Sequence, residues 1–190
     1  MLASQSPRRR ELLATVGLEF EVQPADVDES WAPGEDPVAY VERVARSKAD
    51  TVATLLGRPG GVCVLAADTT VDLDGEILVK PEDDDDARRM LSAMSGRTHQ
   101  VHTHVVGWTS SGTHAVTVTT DVTFVPLTDD LIEWYLSFGE HRDKAGAYGM
   151  QGAAGALVAR IAGSPSNVIG LPLAETVGVL RACGVDLSIT

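Results

Sequence analysis

Val62-Cys63-Val64-Leu65-Ala66-Ala67-Asp68-Thr69-Thr70-Val71 is the stretch on which the reading of this chain turns. Its opening residues, Val62 to Ala67, form an unbroken apolar run, which suits a strand covered on both faces. The run stops at a carboxylate followed by two hydroxyls. Because an unpaired charge is costly to remove from water, Asp68 is expected at the strand's mouth. There it would face a cleft, paired with a cation, a metal ion or a lysine. A plain Asx-type turn at a strand end explains the same local residues, so the rest of the chain must decide.

A chain of 190 residues can bury a real core as one domain. The expectation is a single unit over residues 1–190, with two lobes and no independent linker. No apolar run approaches the ~20 residues of a bilayer span, and no long apolar signal segment opens the chain. Cys63 and Cys183 lie in apolar stretches without metal-type spacing. They read as reduced core residues of a cytoplasmic protein. A formal charge of −12 argues against a general binder of nucleic acid or anionic membrane. A small anionic ligand still fits if basic residues are gathered locally.

They are gathered at Ser6-Pro7-Arg8-Arg9-Arg10, where Ser6 suits an N-cap, Pro7 the first helical position and Gly17 the stop. Cations are disfavoured at a helix N-terminus, so this cluster beside free backbone N–H groups reads as an anion site, with solubility as the alternative. Asp26-Val27-Asp28-Glu29-Ser30-Trp31 is a solvated loop or a source of a second carboxylate for a hard cation. Asp36-Pro37 starts a helix to about Leu56, and Lys48 falls within its apolar stripe. That lysine either snorkels from the buried face or delivers its ammonium to the cleft. Asp74-Gly75 is a hairpin turn, and counting across it puts Lys80 back beside Asp68.

Asp83 to Asp86 begin a helix that Gly96 closes. Period-two patterning from Thr98 to Val125, broken at Ser110-Ser111-Gly112, reads as two strands. His102 and His104 share a strand face, but no third ligand makes them a zinc site. Thr128 caps a short helix. Residues 139–155 are too rich in glycine for helix or strand and read as a binding loop. Ala156 to Ile161 reads as a strand, Gly163 to Asn167 as a loop, and Leu171-Pro172 as the lead into a final helix.

Six segments then carry a family resemblance: Ala3-Ser4-Gln5-Ser6-Pro7-Arg8-Arg9, Ala67-Asp68-Thr69, Lys80-Pro81, Ser95 to Val101, Asp143 to Gly152, and Gly170-Leu171-Pro172-Leu173. In this order, spanning nearly the whole chain, they resemble the Maf-type nucleoside triphosphate pyrophosphatases. The resemblance implies an α/β, Maf/ITPase-like fold: a mixed, twisted central sheet flanked by helices, with a cleft between two lobes. It implies hydrolysis of a nucleoside triphosphate to monophosphate and pyrophosphate with a divalent cation (Mg²⁺, Mn²⁺ or Co²⁺). Arg8, Thr69 and Gln151 match the dTTP/UTP subgroup and would read the base. Asp68 would be the base for the attacking water, and Glu29 with Asp68 would hold the metal. Ser4, Arg9, Lys48 and Lys80 would hold phosphates, and Asp143 and Lys144 would close the cleft. A preference for modified purines, or a nucleotide-binding regulator of septum formation with little catalysis, stands as the alternative. A homodimer is a candidate assembly.

Overall fold

The computed structural model describes residues 1–187; residues 188–190, the end of the expected domain, lie outside the described residues. Six helices and five strands follow in the order α1 Pro7–Ala14, α2 Pro37–Leu55, β1 Val64–Leu73, β2 Glu76–Leu78, α3 Asp84–Met94, β3 Thr98–Thr109, β4 Gly112–Phe124, α4 Asp129–Leu136, β5 Val158–Ala162, α5 Pro165–Ile169 and α6 Leu173–Ala182. Most boundaries have a local cause. The Ser6, Asp36, Asp83 and Thr128 side chains each accept from a backbone N–H in the first turn of α1, α2, α3 and α4, and prolines at the starts of α1 and α2 donate nothing that would go unmet.

The strands form one sheet in the order β2-β1-β3-β4-β5, and every pairing between named strands is antiparallel. The expected mixed sheet is therefore corrected to an antiparallel one. Among the described residues, parallel pairing survives only in isolated bridges from Leu2 to Val22 and Leu65. The apolar run misleads because β1 and β3 are covered on both faces, the condition that usually accompanies parallel strands. Val64, Ala66, Val106 and Trp108 pack under Ala45, Ala49 and Val52 of α2. Leu65, Ala67 and Val105 face the other way, against Leu12, Leu171 and Val179. A third cluster, around Val71, Leu78, Met90, Phe124 and Tyr135, fills the far end of the sheet.

Three further expectations change. The β1 strand does not stop at Asp68 but runs five residues beyond it to Leu73, so Asp68 lies in mid-strand rather than at a mouth. Gly163 to Asn167 is not simply a loop: Ser164 caps the single-turn helix α5, too short to show a hydrophobic period. The fifth strand starts at Val158, after a 3₁₀ turn over Ala153–Leu157. Among the described residues no helix is long and apolar enough to cross a membrane.

Candidate active site

A buried acid in the middle of a strand needs a partner, and α2 brings one. Lys48 Nζ lies 2.7 Å from Asp68 Oδ1 and 2.7 Å from Glu29 Oε1. Lys48 and Asp68 are 7% and 5% exposed, which is why the pair must form: either charge alone would be stranded without water. Glu29 is more open. Its loop is anchored by Tyr40 of α2, whose hydroxyl donates to the Glu29 carbonyl at 2.9 Å. Of the two readings of Lys48, the structure selects the ammonium delivered inward.

The two carboxylates titrate apart. Burial pushes Asp68 above the usual carboxylate range, against the pull of Lys48 and Arg9. Burial also acts upward on Glu29, but the hydrogen bond and charge of Lys48, with Lys80 and Arg9, hold it below its ordinary value. Environments that drive paired acids in opposite directions separate the one that can exchange a proton from the one that stays ionised. If Asp68 must be ionised to act, activity is lost as pH falls through its raised pKa. The acid limb of kcat/KM is then expected above about 4, the ordinary aspartate value. A pH–rate profile checks this; a limb at or below that value removes Asp68 as the base.

On the opposite face of β1, Thr69 meets Arg9 of α1. Arg9 is buried and its guanidinium is pinned: Nε donates to the Gly170 carbonyl at 2.8 Å, Nη2 to Thr69 Oγ1 at 2.9 Å and Nη1 to Ser4 Oγ at 3.5 Å. Of its five N–H groups, two remain. Burial lowers its pKa, with Asp68 and Glu29 opposing. Ser4 Oγ also accepts from Ser6 N–H at 3.2 Å, so the α1 entrance is already organised around a polar concavity. Arg10 is exposed and takes no part in it.

These groups line one cleft of about 970 Å³, which Lys80, Arg8, Gln151 and Asp143 also border. Lys80 lies two residues past the end of β2, borders this cleft, and its charge helps to hold Glu29 ionised. Arg8 reaches across the opening: its Nη1 is 3.2 Å from Asp143 Oδ2, and Asp143 Oδ1 is 2.7 Å from Lys144 Nζ. The glycine-dense segment behind them is shaped by close approach. A Cβ on Gly152 would collide with the Glu140 carboxylate, and one on Gly149 with the Lys144 side chain. Glu140 Oε2 in turn accepts from Ala153 N–H at 2.9 Å. The loop carrying Gln151 is thus wrapped around two side chains rather than left as a tether.

Every site residue named from the sequence borders this cleft. Sequence reading missed the residues behind it. Thr103 Oγ1 lies 2.9 Å from Thr69 Oγ1 and donates to the Asn167 carbonyl at 3.1 Å. The fully buried Asn167 donates from Nδ2 to Val101 O and Thr120 Oγ1. Only the Thr69↔Thr103 register of β1 and β3 could have exposed that link. His102 and His104 are engaged by Thr119 and Thr117, as ordinary strand histidines. Among the described residues no three or more His, Cys, Asp or Glu side chains converge on a metal-sized point.

Comparison with known proteins gives consistent matches. The family model described as "Maf-like protein" matches residues 1–183. A dTTP/UTP pyrophosphatase of Anaeromyxobacter dehalogenans is 54% identical, covering 98% of this chain and 95% of its own. A protein of the same name from Chromobacterium violaceum is 53% identical over 98% of this chain and 95% of its own. Among solved structures, the Ham1 protein of Staphylococcus aureus aligns at a TM-score of 0.48 and 17% identity, covering 65% of this chain and 70% of that one.

Proposed function

The chain belongs to the Maf family, and on that footing we propose how its cleft hydrolyses dTTP and UTP to the monophosphate and pyrophosphate. It is a nucleoside triphosphate pyrophosphatase; the bond cut lies between the α and β phosphoryl groups, with water supplying the new oxygen. One observation carries the assignment of roles: the buried Asp68–Lys48 pair, with the more open Glu29 on the same ammonium, and the pinned Arg9, remote from one another in sequence, border the same cleft.

A triphosphate needs charge neutralisation and a positioned water more than covalent chemistry. Asp68 takes the proton of the attacking water. Arg9 offers its two remaining N–H groups to phosphate, and Lys48 the third N–H left after its two carboxylate contacts. Lys80 and Ser4 complete the phosphate side. Arg8, Thr69 and Gln151 read the base, and the Arg8–Asp143–Lys144 chain closes the opening between two lobes. A divalent cation fits the donor set. Mg²⁺ is commonly held by one or two carboxylates, with water and substrate phosphates filling its shell, and Glu29 and Asp68 already converge on the Lys48 ammonium. When bound, such a cation (Mg²⁺, Mn²⁺ or Co²⁺) would neutralise phosphate charge and lower the pKa of a coordinated water. The two free thiols, Cys63 and Cys183, suit the cytoplasm, where the nucleotides are.

Product analysis tests the reaction: UTP and dTTP should yield monophosphate and pyrophosphate, with activity lost in chelator and restored by Mg²⁺ or Mn²⁺. Release of orthophosphate and a diphosphate would refute it. Gln151 is tested by Gln151→Glu, which replaces an amide donor with a charge. It should lower kcat/KM for UTP and dTTP at least tenfold more than for other nucleotides. An equal loss across a substrate panel would remove it from base reading.

A further inference from the structure

Arg9, Thr69, Thr103 and Asn167 form a hydrogen-bond chain whose ends fix its direction. At one end the Arg9 guanidinium can only donate, and its Nη2 gives a hydrogen to Thr69 Oγ1 at 2.9 Å. At the other end the Asn167 carbonyl can only accept, and it takes the one hydroxyl hydrogen of Thr103 at 3.1 Å. The contact in the middle, 2.9 Å between the Thr69 and Thr103 hydroxyls, then has a single solution. Thr103 has spent its hydrogen, so Thr69 must donate to Thr103. Thr69 therefore holds no proton for a ligand; it has one free lone pair, on a residue that borders the cleft.

The far end of the chain is rigid. Thr103 and Asn167 are fully buried. The Asn167 carbonyl also accepts from Gly170 N–H at 2.9 Å, and the Asn167 amide is held by Val101 and Thr120 at 2.9 and 3.0 Å. Reversing the chain would turn a Thr103 lone pair, in place of its hydrogen, onto the Asn167 carbonyl oxygen 3.1 Å away, exchanging a buried hydrogen bond for a repulsive contact.

We propose that Thr103 is a positioning residue that locks the Thr69 hydroxyl as an acceptor toward the cleft, so that the site selects pyrimidines carrying an N3–H and rejects those whose N3 is itself an acceptor. This rests on the base-reading role of Thr69 set out above. Uracil and thymine share the N3–H donor, and neither a 5-methyl group nor its absence alters that edge. Cytosine presents a lone pair at N3, which would meet the Thr69 lone pair. A lone pair is equally unsuited to phosphate, so Thr69 faces the nucleoside while the remaining N–H groups of Arg9, with Ser4 on its other side, face the phosphates.

The experiment compares kcat/KM for UTP, dTTP and CTP in the wild type, Thr103→Val and Thr103→Ser. Valine keeps the shape and removes the acceptor, which frees the Thr69 hydrogen to turn into the cleft. The expected result is a fall of tenfold or more in the UTP/CTP ratio for Thr103→Val, with the ratio retained in Thr103→Ser. A merely structural role would depress both substrates together and leave the ratio unmoved; that outcome overturns the proposal. So does a Thr103→Ser enzyme that loses selectivity as valine does. Should Thr103→Val not fold, Thr103→Cys, whose sulfur is a poor acceptor, is read by the same ratio. If the wild type hydrolyses UTP and the ratio does not change, this inference alone fails. If the wild type splits neither UTP nor dTTP, the proposed function fails and takes the inference with it.

Discussion

Asp68→Asn is expected to lower kcat for UTP and dTTP by about a thousandfold, within the range that a positioned general base supplies, while the protein stays folded. The amide matches the carboxylate in shape but cannot hold the proton of water. The fold survives because Lys48 keeps its other partner, Glu29 Oε1 at 2.7 Å. Burial raises the Asp68 pKa, so the ionised form opposes folding at neutral pH and its removal relieves that opposition. The melting midpoint should move by no more than about 4 °C, the equivalent of roughly 1 kcal/mol in a chain of this length. Hydrolysis near the wild-type rate would exclude Asp68 as the base, whatever the stability.

Lys48→Met should do more damage, to stability and activity together. It leaves Asp68 in mid-strand, 5% exposed, with no ammonium beside it. Breaking a buried pair by removing one partner costs about 3–5 kcal/mol. The pH dependence has a definite sign. Without Lys48 the folded pKa of Asp68 rises further above its unfolded value, so the variant recovers stability as pH falls and Asp68 takes a proton, and loses it as pH rises through that folded pKa. Chemical denaturation at several pH values reads this directly. The double variant Lys48→Met/Asp68→Asn should regain most of the stability at neutral pH without regaining hydrolysis, because the two changes share one contact and are not additive. If instead the double variant is as unstable as the sum of the two single changes, the pair is not coupled as its geometry requires.

These tests treat the acid–lysine–acid unit as the centre of the site, and that unit was only partly legible beforehand. Asp68, Lys48 and Glu29 each had a bland alternative: a turn acid, a snorkelling lysine, a solvated loop. No local pattern ranks those readings, because the contacts that decide them span 19 and 20 positions of the chain. A family segment named Asp68, the helix stripe offered Lys48 and family position suggested Glu29, and the 2.7 Å contacts explain why they must act together. Thr103 lay further out of reach. Its importance comes from standing opposite Thr69 in a pairing between strands, and a threonine in a buried strand carries no mark of what faces it.

By itself the sequence determined the starts of four helices and the first hairpin, since caps, prolines and tight turns act within a few residues: Ser6, Asp36, Asp83 and Thr128 as N-caps, and Asp74-Gly75 between β1 and β2. It also determined the family, through segments whose order and spacing are visible without coordinates. Tertiary structure decided the strand directions, the placement of Asp68 inside a strand rather than at its end, and the direction of the hydroxyl chain behind Thr69. Hydrophobic periodicity records whether a face is buried but not which neighbour buries it. A carboxylate can therefore sit in the core wherever a distant helix supplies its counter-charge.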